Sequence, residues 1–210
     1  EGKDYDFETR LAGRFNVYNT LGAVGACLSE GVPMETIVEG MRDFKSVPGR
    51  FELIDEGQPF TVVVDYAHTP DGLEKILTTA EEITKGRIIV VFGCGGDRDR
   101  MKRPIMGRIA ARNADIALVT SDNPRTEDPA SIVKEVAAGV EEVKKEKPSL
   151  SYEVIVDRRS AICRAIELAK PGDIVLIAGK GHENYQILKD KTIHFDDREE
   201  ARKALKLKEK

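Results

Sequence analysis

An α/β fold, a mostly parallel sheet with flanking helices and a C-terminal hairpin, is what this 210-residue sequence predicts, on three observations. From Tyr66 onward short apolar runs alternate with helical patterns, and each switch falls on a turn or cap residue, the signature of βαβ units. The apolar runs are rich in Val and Ile on both faces, as strands buried on both sides of a parallel sheet are. Residues 1–48 read differently, as helices with no strand between them.

The elements follow in order. Residues 15–29 form a small-residue helix carrying Ala23, Ala26 and Leu28 with Gly22 and Gly25, and residues 33–44 form an amphipathic one. Neither can make a domain alone. Residues 46–50 (SVPGR) read as a linker, which puts a domain boundary near Val47. Strands are expected at 61–65 (TVVVD), 87–92 (RIIVVF), 116–120 (IALVT), 152–156 (YEVIV) and 173–178 (DIVLIA). Between them, apolar residues recur at i, i+3 and i+4 in Leu73, Ile76, Leu77, Ala80 and Ile83, and again in Ile132, Val133, Val136, Val140 and Val143. These are crossover helices. Thr69-Pro70 and Asp128-Pro129 mark their starts, each putting an N-cap before a proline whose missing N–H is not needed there. Residues 185–195 (YQILKDKTIHF) read as a hairpin around Lys189, Asp190 and Lys191, and 197–207 as a terminal helix presenting a charged, solvated face.

Composition bounds the function. With 33 Lys+Arg against 37 Asp+Glu the net charge is -4, which excludes a strongly basic nucleic-acid binder. Hydrophobic residues make up 40% of the chain, enough to bury a core. No unbroken apolar run exceeds about six residues, against the ~20 a membrane-spanning helix needs, so neither nucleic acid nor membrane is an expected partner. The three cysteines, Cys27, Cys94 and Cys163, are far apart and never in a CxxC pair, which points to a reducing cytoplasm and to no zinc knuckle or disulfide framework. The chain opens at Glu1 on a polar stretch without an apolar signal region, and the expectation is a fragment.

In open α/β sheets ligands bind beyond the carboxyl ends of the strands. The residues there are unusually polar: Tyr66 to Pro70 after the first strand, GCGGDRDR (93–100) after the second, SDNPR (121–125) after the third, and GKGHE (179–183) after the fifth. Two tempting motifs fail. Arg98 occupies the last glycine position of a GxGxxG fingerprint, and Gly179-Lys180-Gly181 lacks the upstream glycine and the Ser/Thr of a phosphate loop. What remains is a rim mixing Arg98 and Arg125 with Asp122, Glu183 and the amide of Asn123. Guanidinium forks suit carboxylates and carboxylates suit ammonium groups, so the mixture fits a zwitterionic amino acid better than a bare phosphate. Charged, glycine-bearing loops without function are common, but four on one rim are less so. His68 reads equally as a capping or a catalytic residue, His182 as a ligand-side or loop-ordering residue, His194 as structural and Cys94 as a small buried thiol.

The succession GRFNVYN (13–19), PGRFE (48–52), VDYAHTPDGLE (64–74), FGCGGDRDRMKRP (92–104), SDNPRTEDP (121–129) and AGKGHENYQ (178–186) closely resembles the Mur ligases, and among them the meso-diaminopimelate-adding type. The resemblance covers essentially the whole chain. It implies that residues 1–46 are the tail of a central ATPase domain and 47–210 a Rossmann-like C-terminal domain that brings the amino acid. By match to the family's motifs, Arg98, Asp122, Asn123, Pro124, Arg125, Gly179 and Glu183 are its meso-diaminopimelate contacts. Arg50 and Asp65 match its contacts to ATP phosphate and ribose, and Asn16 its adenine-side asparagine. The implied reaction is ATP-dependent ligation of meso-diaminopimelate to a UDP-N-acetylmuramoyl dipeptide. The D-glutamate carboxylate is phosphorylated and then attacked by the amine, with Mg2+ and cationic groups meeting the developing charge. The phosphate loop, the magnesium ligands, a modified lysine and the UDP-sugar domain would lie upstream. Two rivals stand beside this reading: another amide ligase of the superfamily, lysine-adding or folylpolyglutamate-type, and a non-catalytic amino-acid-binding module. The arginine of DNPR argues against the lysine-adding type, because a guanidinium there would read a second carboxylate.

Overall fold

The structure, a computed structural model, describes residues 3–9, 11, 13–44 and 46–208; Glu1, where the sequence expectation of a fragment rests, lies outside the described residues. The chain divides between Val47 and Pro48 into two compact units. In the first, α1 (Arg14–Ser29) starts after Gly13, at φ 91°, and stops where Glu30 and Gly31 turn back on the last carbonyls. Helix α2 (Met34–Asp43) follows Pro33, and Glu35 in its first turn takes Lys3 and Tyr5 as partners at 2.9 and 3.1 Å.

The second unit carries β1 (Glu52–Leu53), β2 (Thr61–Asp65), α3 (Pro70–Ile83), β3 (Ile88–Phe92), α4 (Lys102–Asn113), β4 (Ile116–Val119), α5 (Pro129–Glu146), β5 (Ser151–Val154), α6 (Arg158–Leu168), β6 (Ile174–Ala178), β7 (Tyr185–Ile187), β8 (Thr192–His194) and α7 (Asp197–Lys208). The sheet order is β1-β2-β6-β3-β4-β5, all parallel except β1, which pairs antiparallel with β2; β7 and β8 form the expected hairpin. This is the mostly parallel α/β architecture the sequence predicts. Thr69, Asp128 and Asp157 cap α3, α5 and α6, each side chain accepting from the backbone N–H three residues on. One face of the sheet (Val62, Val64, Ile89, Val91, Leu118, Val175 and Ile177) packs in one cluster with Ala161, Ile162, Ala165 and Ile166 of α6 and Ala201, Ala204 and Leu205 of α7. Alternation along each strand leaves the other face to α3, α4 and α5. Among the described residues no helix is long and apolar enough to cross a membrane.

Two sequence expectations are corrected, and one strand has no sequence signal. The apolar run 152–156 predicts burial on both faces, yet β5 is an edge strand that among the described residues bonds only to β4, with Val154 47% exposed. Its polar side chains meet the flanking helices instead: Tyr152 donates to Glu141 and Glu153 pairs with Arg164. The terminal helix is not only a solvated face, because Ala201, Ala204 and Leu205 enter the core while Asp197 and Glu200 are buried against arginines of α6. Strand β1, two residues long, has too short a period to be read from sequence.

Candidate functional site

All four polar loops leave the sheet at the carboxyl ends of parallel strands, so β2, β3, β4 and β6 deliver them to one rim. Around the end of β4 the polar groups are saturated by one another. Asn123, 4% exposed, accepts through Oδ1 from Lys180 Nζ at 3.0 Å and from the Ile187 N–H at 2.9 Å, and donates through Nδ2 to Glu183 Oε2 at 3.0 Å. Asp122, buried, lies 3.7 Å from Lys180 Nζ through Oδ1, and its carbonyl accepts from Gln186 at 2.7 Å. Gly179 holds φ 124°, and a Cβ there would press on Asp122 Oδ2 at 2.9 Å. The Glu183 carboxylate and burial push the Tyr185 hydroxyl above its usual range.

Lys180 is the residue sequence reasoning missed. Its side chain is fully buried, 3.4 Å from Glu183 and 3.7 Å from Asp122, with the Tyr185 ring 5.6 Å away. A lysine is almost never buried unless paired; here one ammonium faces two carboxylates and leaves a net negative charge for a second cation to meet. The available signal is a lysine flanked by glycines in a rim loop that also carries Glu183.

Arg125 stands beside this cluster in a different state. Its backbone sits in the left-handed region at φ 52°, its N–H donates to the Ile187 carbonyl at 3.1 Å, and Nη1 is tied to the Gly96 carbonyl at 2.8 Å. The Nε and Nη2 donors have no partner among the described residues, which leaves one edge of the guanidinium free for a bidentate carboxylate. Arg98 is exposed and makes no hydrogen bond or ion pair among the described residues. The buried Pro124 precedes Arg125 and stiffens the turn.

Beneath the rim, Arg158 and Asp197 are both wholly buried and joined by two hydrogen bonds of 2.7 and 2.6 Å. The same guanidinium donates to the carbonyls of Ala178 and Ser121, the last residues before the GKGHE and DNPR turns.

The ends of β2 and β6 form a second group. Asp65, buried at the end of β2, accepts the N–H groups of Phe51 and Ala67 at 2.7 Å each, and burial pushes its carboxyl upward against those bonds and Arg50. Arg50 is exposed, with its guanidinium 4.9 Å from the centre of the Tyr66 ring. Both histidines lean on that ring, His68 at 4.6 Å and His182 at 5.0 Å, and His68 Nδ1 meets the Tyr66 carbonyl at 2.8 Å. A Cβ at Gly49 would overlap the backbone of Gly181 and His182, so the PGR and GKGHE loops touch through glycine. His194 is exposed and pairs with Glu199. Cys94 is buried 3.6 Å from Met106 Sδ, and its thiol is pushed up to about 12 by burial, which makes it a poor nucleophile. Asn16 lies in α1 of the first unit, where it accepts from Asn19 at 3.2 Å. No group of three or more His, Cys, Asp or Glu among the described residues could hold a metal ion.

Chemically, then, one rim offers a free guanidinium edge, a second exposed arginine and an acid cluster of net negative charge. Such a set has the chemistry to pair with a molecule carrying both carboxylate and ammonium groups.

Residues 49–181 match the family model described as Mur ligase, glutamate ligase domain. A Clostridium botulinum protein, UDP-N-acetylmuramoyl-L-alanyl-D-glutamate--2,6-diaminopimelate ligase, is 56% identical over 198 residues, which are 93% of this chain and 40% of that protein. A solved structure of a ligase of the same name superposes with a TM-score of 0.74 at 40% identity, over 98% of this chain and 41% of the other. The crystal structure of a UDP-N-acetylmuramate-alanine ligase from Thermotoga maritima reaches a TM-score of 0.67 at 20% identity over 99% of this chain and 41% of that one, a likeness of fold alone. This chain spans about two-fifths of the length of the curated relatives it matches.

Proposed function

The chain belongs to the Mur ligase family, and on that footing we propose that it supplies the amino-acid-binding part of an ATP-dependent ligase. That ligase joins meso-diaminopimelate to UDP-N-acetylmuramoyl-L-alanyl-D-glutamate in peptidoglycan precursor synthesis in the cytoplasm. Residues 1–46 are then the tail of the central ATPase domain, and 47–210 the C-terminal domain. The observation that carries the reading is the free Nε/Nη2 edge of Arg125 beside the Asp122, Lys180 and Glu183 cluster. The arginine takes the distal carboxylate of the amino acid, and the net negative cluster takes the neighbouring ammonium. In this reading Arg98, exposed and unpartnered among the described residues, takes a second carboxylate. Held at both ends, the amino acid is oriented with its other amine toward the acceptor.

ATP supplies the phosphoryl group that turns the acceptor carboxylate into an electrophile. Arg50, exposed above Tyr66, fits a phosphate oxygen, whereas Asp65 already accepts two backbone N–H groups and has only its remaining lone pairs for a ribose hydroxyl. Asn16 is the adenine-side residue of this proposal. Mg2+ belongs with the nucleotide; no cluster of the described residues fits it.

Two outcomes test this. The purified 210-residue chain should bind meso-diaminopimelate in a calorimetric titration yet turn over no ATP when given the UDP-linked dipeptide, because its sequence holds no GxxxxGK[ST] loop. ATP turnover dependent on that substrate would overturn the division of labour. In the complete enzyme, Asp65→Ala should raise the KM for ATP more than that for the amino acid. An unchanged ATP dependence would reduce Asp65 to ordering the backbone of Phe51 and Ala67.

A further inference from the structure

The loop after β3 and the loop after β4 are held together by a network that neither the amino acid nor ATP touches in the proposal above. At its centre is Arg103, whose side chain is wholly buried although α4 begins only one residue earlier. Its guanidinium grips Glu127 with two bonds, Nη2 to Oε1 at 2.7 Å and Nη1 to Oε2 at 2.9 Å, and Nη1 also donates to Glu135 at 2.9 Å. Glu127 accepts in turn from the Asp97 N–H at 2.6 Å, and the Asp97 carboxylate accepts from the backbone and hydroxyl of Thr126 at 3.2 and 2.7 Å. Each loop thus sends a carboxylate into the other. Arg100 closes the outer side by pairing with Glu135.

Arg98 follows Asp97 directly, and Arg125 directly precedes Thr126. The network therefore fixes the backbone beside both arginines. Asp97 and Arg125 both sit in the left-handed region, at φ 53° and 52°, a conformation that persists in non-glycine residues only where the surroundings over-determine it. Helices α4 and α5 are brought close enough for the contact by glycine: a Cβ at Gly139 would overlap the Pro104 carbonyl, and one at Gly107 the Val136 carbonyl. Arg103 Nε has no hydrogen-bond partner among the described residues, so the grip on Glu127 and Glu135 is made through Nη1 and Nη2. Arg103 and the Asp97 N–H hold the Glu127 carboxyl down to about 2, so the network keeps its charge across the working pH range.

We propose that Arg103 and Glu127 are positioning residues, which set the separation of Arg98 and Arg125 so that the two guanidinium groups fit the two carboxylates of one amino acid. The inference rests on the amino-acid reading proposed above. It makes recognition a matter of spacing as well as charge: a dicarboxylate with its carboxylates closer together would satisfy one arginine and not the other.

The test is a set of steady-state measurements on the complete enzyme with Glu127→Gln, which keeps the shape, and Arg103→Lys, which keeps the charge and loses the fork. Each should raise the KM for meso-diaminopimelate roughly three- to thirty-fold, within the range of coupled neighbours, with kcat and the KM for ATP little changed. In an Arg125→Ala background the same substitutions should add less than about two-fold, because the geometry they set is no longer read. An equal penalty in both backgrounds, or a matching rise in the KM for ATP, would mean that the network only stabilises the fold and would overturn the proposal. If Arg125→Ala alone leaves the diaminopimelate KM unchanged, the amino-acid reading itself fails, and this inference with it.

Discussion

Asp197→Ala will lower the unfolding free energy by about 3 to 5 kcal/mol, the cost of leaving a buried charge without its partner. Arg158 and Asp197 are both fully buried, so water cannot replace the lost carboxylate without opening the packing between α6 and α7. Burial is what makes the number large: the many exposed pairs, such as Lys75 with Asp71, contribute far less. The damage should reach the rim, since the same guanidinium bonds the carbonyls of Ala178 and Ser121, which fix where the GKGHE and DNPR turns begin. Chemical denaturation of the two proteins measures the difference. The double substitution Arg158→Met, Asp197→Leu should recover most of the loss, because it removes both charges and fills the space with apolar volume. A single-substitution loss below about 1 kcal/mol would place the pair among solvated ones and refute the argument.

What was legible in the sequence is what local chemistry dictates. Thr69-Pro70 and Asp128-Pro129 marked the starts of α3 and α5 because an N-cap and a proline each satisfy a need found only in the first helical turn. The rim was legible because parallel strands put their following loops on one side, so Asp122 and Asn123 could be grouped with Glu183 although 61 and 60 residues separate them from it. The failures are tertiary. YEVIV looks like a buried strand, and only its place at the sheet edge exposes Val154. The alanines of α7 carry little hydropathy, so their burial against α6 was hidden among charges. Lys180 is buried because three side chains from two loops converge on it, and no local window holds that information. Arg103 is the same case: its partners Glu127 and Glu135 lie 24 and 32 residues away, and the glycine contact between α4 and α5 is what brings them within reach.

Arg125→Ala in the complete enzyme should reduce kcat/KM for meso-diaminopimelate by roughly thirty-fold to several thousand-fold, the equivalent of about 2 to 5 kcal/mol for losing one member of a desolvated charge pair. The geometry supports the upper part of that range. Nη1 is anchored to the Gly96 carbonyl and the backbone N–H to the Ile187 carbonyl, so the guanidinium is held in place before the ligand arrives and little side-chain freedom is lost on binding. The free Nε/Nη2 edge then meets a carboxylate with two parallel bonds, which a lysine in its place could not do. Arg125→Lys should therefore recover only part of the loss. Lysine as the substrate is the decisive control: it carries the same α-amino and α-carboxylate groups and a side-chain ammonium but no distal carboxylate, so any weak activity on it should be nearly indifferent to Arg125→Ala. A paired kinetic comparison of the two amino acids on the wild-type and variant enzymes reads this directly. Equal losses on both would mean that Arg125 supports the loop through its bond to Gly96 or holds the shared α-carboxylate, and the distal carboxylate would then have to be assigned to Arg98.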